Sequence, residues 1–242
     1  MEPKDPFNTL NIKNVSKIIE SKETDDIVSC LEKLEIHAQS IGEGDSSEVF
    51  VAENPKLEKV CLKRIKKTPK MLCNDIDTEH KYQISAHKAG VRTPLPLISI
   101  ESADGKKYLI MERIFGYSVG ETIEDISLLP DIFDIDIFAK ALESNVSKMH
   151  DAQIHHRSLH MQNIMIESST GLPVILDFGT ATTGSDSDFT YEESVLVINP
   201  KTGKYEQKSG NFEHDTTMVK NMCSTLRKTI QQKAVANLTQ KQ

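Results

Sequence analysis

The sequence predicts an α+β fold in two lobes, a small mostly-β lobe with one helix followed by a shortened, mostly helical lobe. Three observations carry that prediction. Short β-type runs crowd residues 36–64 and 96–111, helical periodicity takes over after Gly116, and the patterns exchange near residues 112–116. The divisions that follow are a helical extension at 1–35, a first lobe at 36–113 and a second at 114–242.

Taken in order, Val15, Ile18 and Ile19, then Ile27, Leu31 and Leu34, repeat at the three- and four-residue intervals of a helix face. Thr24-Asp25-Asp26 supplies cap residues for the second of these helices. Ile36–Ile41, Glu48–Glu53 and Lys59–Lys63 read as strands, separated by a small, acidic loop and a proline-bearing turn. Residues 74–89 form a helix entered at Asn74 or Asp75 and ended by Gly90. Strands Pro96–Ile100 and Lys107–Met111 flank the turn Ser102-Ala103-Asp104-Gly105. Phe138, Leu142, Val146 and Met149 stripe a helix over 136–150. A hairpin at Ile164–Ile166 and Val174–Leu176 comes next, then a second within 191–208. The last helix begins near Asp215 and carries Met218, Met222, Leu226 and Ile230 on one face.

A net charge of −7 argues against a direct nucleic-acid partner, which calls for a basic face. The four cysteines are scattered, with neither a zinc nor a disulfide spacing, so a reducing compartment is expected. No apolar run approaches the ~18 residues of a membrane-spanning helix, and Met1–Pro6 is too charged to open a secretory signal. The expected location is cytoplasmic; a bacterial effector with a non-classical export signal would give the same pattern.

Chemistry concentrates in three places. The loop Ile41-Gly42-Glu43-Gly44-Asp45-Ser46-Ser47-Glu48-Val49 lies between strands, and its glycines let backbone amides approach phosphates that a Cβ would hold off. Lys63 ends the strand Val60-Cys61-Leu62-Lys63, and Glu79 stands 16 residues later on the following helix. A carboxylate there would fix the ammonium to meet phosphates, with Asp75 and Asp77 as alternative partners. Finally, His156-Arg157-Ser158-Leu159-His160-Met161-Gln162-Asn163 precedes a hairpin and then Asp177-Phe178-Gly179. Asn163 and Asp177 are hard oxygen donors suited to Mg²⁺.

In this order and spacing the motifs resemble the protein-kinase-like superfamily over about residues 38–230. V-C-L-K is similar to its V-A-I-K, Y-L-I-M-E-R-I at 108–114 resembles its hinge, and D-F-G is intact. H-R-S-L-H-M-Q-N resembles H-R-D-L-x-x-x-N, and still more the H-G-D-L-H-x-x-N of the RIO, lipopolysaccharide and aminoglycoside kinase-like branches. The resemblance implies ATP and Mg²⁺ as cofactors. It implies nucleotide contacts from Gly42, Gly44, Ser47, Val49, Lys63 and Glu79, adenine contacts at the backbone of Glu112 and Ile114 behind a gatekeeper Met111, and metal ligands Asn163 and Asp177. It also implies that His156 packs beneath the D-F-G and that His160 lies near the γ-phosphate. Asp215 either ties the last helix to the catalytic loop or simply caps that helix.

The chain departs from this family in lacking A-P-E after D-F-G and in carrying Ser158 where the family has its catalytic aspartate. The catalytic set is therefore Lys63, Ser158 and His160. Four activities share these residues: a slow phosphotransferase to a hydroxyl of a protein or of itself, a pseudokinase presenting an ATP-bound surface to a regulatory partner, other nucleotide chemistry such as adenylylation, and an active kinase whose aspartate has been replaced.

Overall fold

The computed structural model describes residues 7–31, 34–44, 47–52, 54–66, 75–183, 194–198, 205–209 and 212–239. The chain divides into two units, residues 1–84 with 94–114 and residues 85–93 with 115–242. The first is rich in sheet and the second in helix, an α+β fold.

The first unit opens with β1 (Phe7–Leu10), β2 (Ile12–Lys17) and α1 (Lys22–Val28), followed by β3 (Leu34–His37), β4 (Gly42–Glu43), β5 (Ser47–Phe50) and β6 (Val60–Ile65). Helix α2 (Ile76–Lys88), whose residues 85–88 count with the second unit, and strands β7 (Pro96–Ser102) and β8 (Lys107–Glu112) follow. Six strands form an antiparallel sheet in the order β2-β7-β8-β6-β5-β4, and β1 pairs separately with β3. Because side chains alternate along a strand, β6 sends Val60 and Leu62 to one face and Cys61 and Lys63 to the other. Val60 and Leu62 join a core that includes Ile27, Leu31, Leu34, Phe50, Ile98, Ile100, Tyr108 and Ile110. Cys61 joins Ile76, Leu109 and Met111, with Ile18, Val49 and Ile65 packed against them.

The helical pattern expected around Val15–Ile19 is corrected here: residues 12–17 are a strand. Three apolar residues in five fit either period, and the open edge of β7 settles it by offering backbone partners from Ile12↔Ser102 to Lys17↔Ile98. The second helix starts earlier than Thr24-Asp25-Asp26 suggests. Ser21 is its cap and Thr24 completes a capping box, while Leu34 lies in β3 rather than on the helix. Asp75 caps α2 by accepting from the Thr78 N–H at 2.9 Å.

In the second unit β9 (Gly116–Ser118), α3 (Val119–Glu124) and α4 (Ile135–Asp151) precede β10 (Ile154–His155), β11 (Ile164–Glu167), β12 (Pro173–Ile175) and β13 (Thr182–Thr183). A hairpin of β14 (Ser194–Ile198) and β15 (Tyr205–Ser209) leads to α5 (Phe212–Thr239); the rest of the expected 191–208 hairpin lies outside the described residues. Helix α4 buries Phe138, Leu142, Val146 and Met149, and α5, which packs on it, buries Val219, Met222, Cys223 and Leu226. Strands β12-β11-β9 form a small sheet. Gly116 is required there, since a Cβ would stand 2.0 Å from the Ile166 carbonyl oxygen. No described helix is long and apolar enough to cross a membrane.

Candidate active site

In the first unit, Lys63 donates from Nζ to Oε1 of Glu79, and both side chains are almost fully buried, at 5% and 1% exposure. Desolvating two charges is costly unless they meet, and breaking such a pair leaves an uncompensated buried charge. Of the three candidate partners the structure brings Glu79 to Lys63, while Asp77 instead accepts from Lys107.

The strand pair β4–β5 carries the glycine loop. Gly42 lies opposite Val49, the Gly44 N–H donates to the Ser47 carbonyl at 3.0 Å, and Ser47 is buried in β5. A Cβ on Gly42 would find nothing nearer than 3.7 Å, and one on Gly44 nothing nearer than 3.9 Å. Neither has positive φ. Among the described residues, packing therefore does not demand glycine at either position. Residues 45–46 lie outside the described set. Val49 sits across the ladder from Lys63 and packs against the cluster of Cys61, Ile76, Leu109 and Met111. Met111 is buried, Glu112 receives the Leu95 N–H on its carboxylate at 3.2 Å, and Ile114 follows half-buried after β8.

In the second unit the loop between β10 and β11 is held from below. Asp215, completely buried, accepts the His156 N–H at 2.9 Å on Oδ2 and the Arg157 N–H at 3.0 Å on Oδ1, with His150 Nε2 at 3.3 Å. These two backbone bonds fix a turn in which Arg157 has φ of 69°. Burial would raise the Asp215 carboxyl, but the His150 hydrogen bond and the neighbouring His156 outweigh it and hold it below the usual carboxylate range. Since α5 begins at Phe212, Asp215 lies inside the helix and ties the loop. His150 is part of this tie. Its place in the last turn of the α4 stripe, facing the last helix, was the available signal.

His156 is fully buried and its ring meets Phe178 of the D-F-G at 4.8 Å between centroids, tilted by 59°. Its Nε2 lies 2.9 Å from the Leu176 carbonyl and must donate, so Nδ1 can accept the Ser158 N–H at 3.3 Å. Burial, the largest influence, lowers its pKa, consistent with this neutral tautomer. Asn163 donates from Nδ2 to the Ser158 carbonyl at 2.9 Å and to Ser158 Oγ at 3.3 Å. The Leu176 N–H donates to the Asn163 carbonyl at 2.8 Å, and Asp177 is the next residue in the chain. Asp177 has φ of 60° and accepts the Gly179 N–H at 3.1 Å. His160 is exposed, and its N–H donates to the Ser158 carbonyl at 2.9 Å.

A family model for the protein kinase domain matches residues 36–197. The chain is 32% identical over 151 residues to the probable serine/threonine-protein kinase zyg-1 of Caenorhabditis elegans, covering 61% of this chain and 20% of that protein. It is 29% identical over 209 residues to serine/threonine-protein kinase D of Synechocystis sp., covering 79% and 39%. It is 26% identical over 166 residues to the probable serine/threonine-protein kinase PknB of Corynebacterium glutamicum, covering 65% and 25%. The chain thus spans about a fifth to two fifths of the length of the curated relatives it matches. With the family model covering more than half of the sequence, the chain belongs to the protein kinase family.

Proposed function

We propose that the protein binds ATP with Mg²⁺ and transfers the γ-phosphoryl group slowly to a hydroxyl, on a protein serine or threonine or on itself. The observation that carries this reading is the buried Lys63–Glu79 pair. A buried charge pair contributes little to stability for what it costs to desolvate, and a lysine held in this way is suited to meeting α- and β-phosphates. Gly42 and Gly44, which packing does not require, leave the backbone open to a ligand.

The residues fit magnesium. Among the described residues no three His, Cys, Asp or Glu side chains gather around one point, and Mg²⁺ usually takes one or two protein oxygens and completes its shell with phosphates and water. Asn163, whose Nδ2 is committed to Ser158, and Asp177 would supply those oxygens. Bound Mg·ATP supplies the phosphoryl group and the charge neutralisation that dominate such transfers. The chain's own part is to hold these ligands and to orient the acceptor. Ser158 is not a base near neutral pH, and losing a positioned base costs about 10²–10⁴-fold. His160, also a feature of the likeness to the RIO-type branches, is the group left to orient the acceptor hydroxyl. The scattered cysteines suit a reducing, cytoplasmic setting; among the described residues Cys30, Cys61 and Cys223 are free thiols.

Thermal unfolding with millimolar Mg·ATP tests the reading. Binding to the folded state should raise the melting temperature by linkage, and Lys63→Met or Asp177→Asn should remove most of the magnesium-dependent shift. An unshifted curve overturns nucleotide binding. A shift without turnover favours the second reading, a pseudokinase whose nucleotide-bound state serves a partner, which the replacement of the family's aspartate by Ser158 supports.

A further inference from the structure

Helix α2 carries Glu79 yet has little apolar surface with which to hold its place. Its fully buried residues are Ile76, Glu79, His80, Gln83 and Ala86, of which only Ile76 is a large aliphatic. Polar ties add to this among the described residues: Glu79 to Lys63, Asp77 to Lys107, and Gln83 to the Pro94 carbonyl. On one side the helix looks across a cavity of about 560 Å³, where Asp77, His80 and Ile84 face Asn14, Ser16 and Ile18. His80 Nε2, buried in its wall, has no hydrogen-bond partner among the described residues. Apolar anchorage of α2 therefore falls on the cluster of Ile76, Cys61, Leu109 and Met111, against which Ile18 packs.

Ile18 is itself firmly placed. It follows β2 directly, its N–H donates to the Leu97 carbonyl at 2.8 Å, and the Ile19 N–H reaches the same oxygen at 3.2 Å. The strand before it is paired with β7 along its length. Ile18, Ile19 and β2 lie ahead of residue 36, where the match to the protein kinase model begins.

We infer that Ile18 is a positioning residue for Glu79: the N-terminal strand sets α2 against the sheet, and through α2 it sets the Lys63–Glu79 pair. The nucleotide half of this inference rests on the function proposed above. The placement of α2 does not.

Two measurements on Ile18→Ala test it, with Leu31→Ala as control, because Leu31 is buried in the other cluster, on the opposite face of the sheet. Ile18→Ala should speed amide hydrogen exchange in the middle of α2 by about tenfold or more relative to the rest of the first unit, and Ile18→Val should largely restore protection. Leu31→Ala should lower the melting temperature without singling out α2; if it does not fold, Ile27→Val replaces it. Ile18→Ala should also weaken Mg·ATP binding several-fold in the native background but not in Glu79→Gln, a non-additivity that a merely structural role would not produce. Equal α2 exchange in Ile18→Ala and its control, or losses that add with Glu79→Gln, overturns the inference. If the unmodified protein binds no Mg·ATP, the functional reading falls and the exchange data alone decide the placement of α2.

Discussion

At Ser158 the hydroxyl accepts a hydrogen bond from the Asn163 amide while its own N–H rests on His156 Nδ1. The residue is held from two sides and half exposed, yet offers no basic atom. Ser158→Asp should raise autophosphorylation or ATP hydrolysis by about tenfold or more at fixed Mg·ATP, since a positioned base contributes about 10²–10⁴-fold, with nucleotide affinity little changed. An unchanged or lower rate would sink the missing-base account and turn attention to His160→Ala, which should then be the more damaging variant. Positions that stand at a fixed spacing in ordered motifs could be singled out from the sequence: Lys63, Asn163, Asp177 and Ser158 are of this kind. Asp215 was only half legible, because an aspartate near a helix start caps the helix as readily as it holds a distant loop. Only the fold shows its oxygens beneath His156 and Arg157.

Glycines separate two kinds of constraint at the scale of the strand. β9 approaches β11 so closely that Gly116→Ala would drive a Cβ into the Ile166 carbonyl. Overpacking of this kind typically costs about 1–3 kcal/mol, so Gly116→Ala should lower the melting temperature by several degrees. Gly42→Ala in β4 meets only ordinary contacts. It should leave the melting temperature of the nucleotide-free protein nearly unchanged while reducing the shift produced by Mg·ATP. Equal melting temperatures for the two variants would show that β9 can slide on β11. Most elements could be placed from periodicity, including α4, the β11–β12 hairpin and α5. The N-terminal strands could not. β2 has a burial pattern with little alternation, and a partner 81 to 90 residues away decides its conformation.

For the whole molecule, acid should be more damaging than the sequence alone suggests. Burial brings His80 down to about 4; Asp77 and Asp75 oppose that shift, and Lys63 and Lys107 add to it. Its ordinary value is near 6.5, so the unfolded chain takes up the proton first as the pH falls. Stability from the neutral His80 is complete above about 6.5 and drains away down to about 4, a loss on the order of 3 kcal/mol. His156 is depressed by burial in the same sense. The lowered Asp215 adds a second decline, present above the ordinary carboxylate value and lost as the pH falls through its depressed one. Urea melts between pH 7 and 4.5 should show falling stability, and His80→Gln should flatten that slope. A slope unaltered by His80→Gln would mean that the ring finds a stabilising partner when protonated.

The pairing of β2 with β7 also bears on how the protein is made. Residues 12–17 meet residues 98–102, so a ribosome must extend the chain by more than eighty residues after making β2 before its partner exists. At about 5–20 residues per second this is a wait of roughly 4–20 s. During it Ile18 and the strand before it have no sheet to join. That stretch waits unpaired in the nascent chain, and slowing translation once β7 has left the ribosome would give it time to close the sheet edge before residues 115–242 follow.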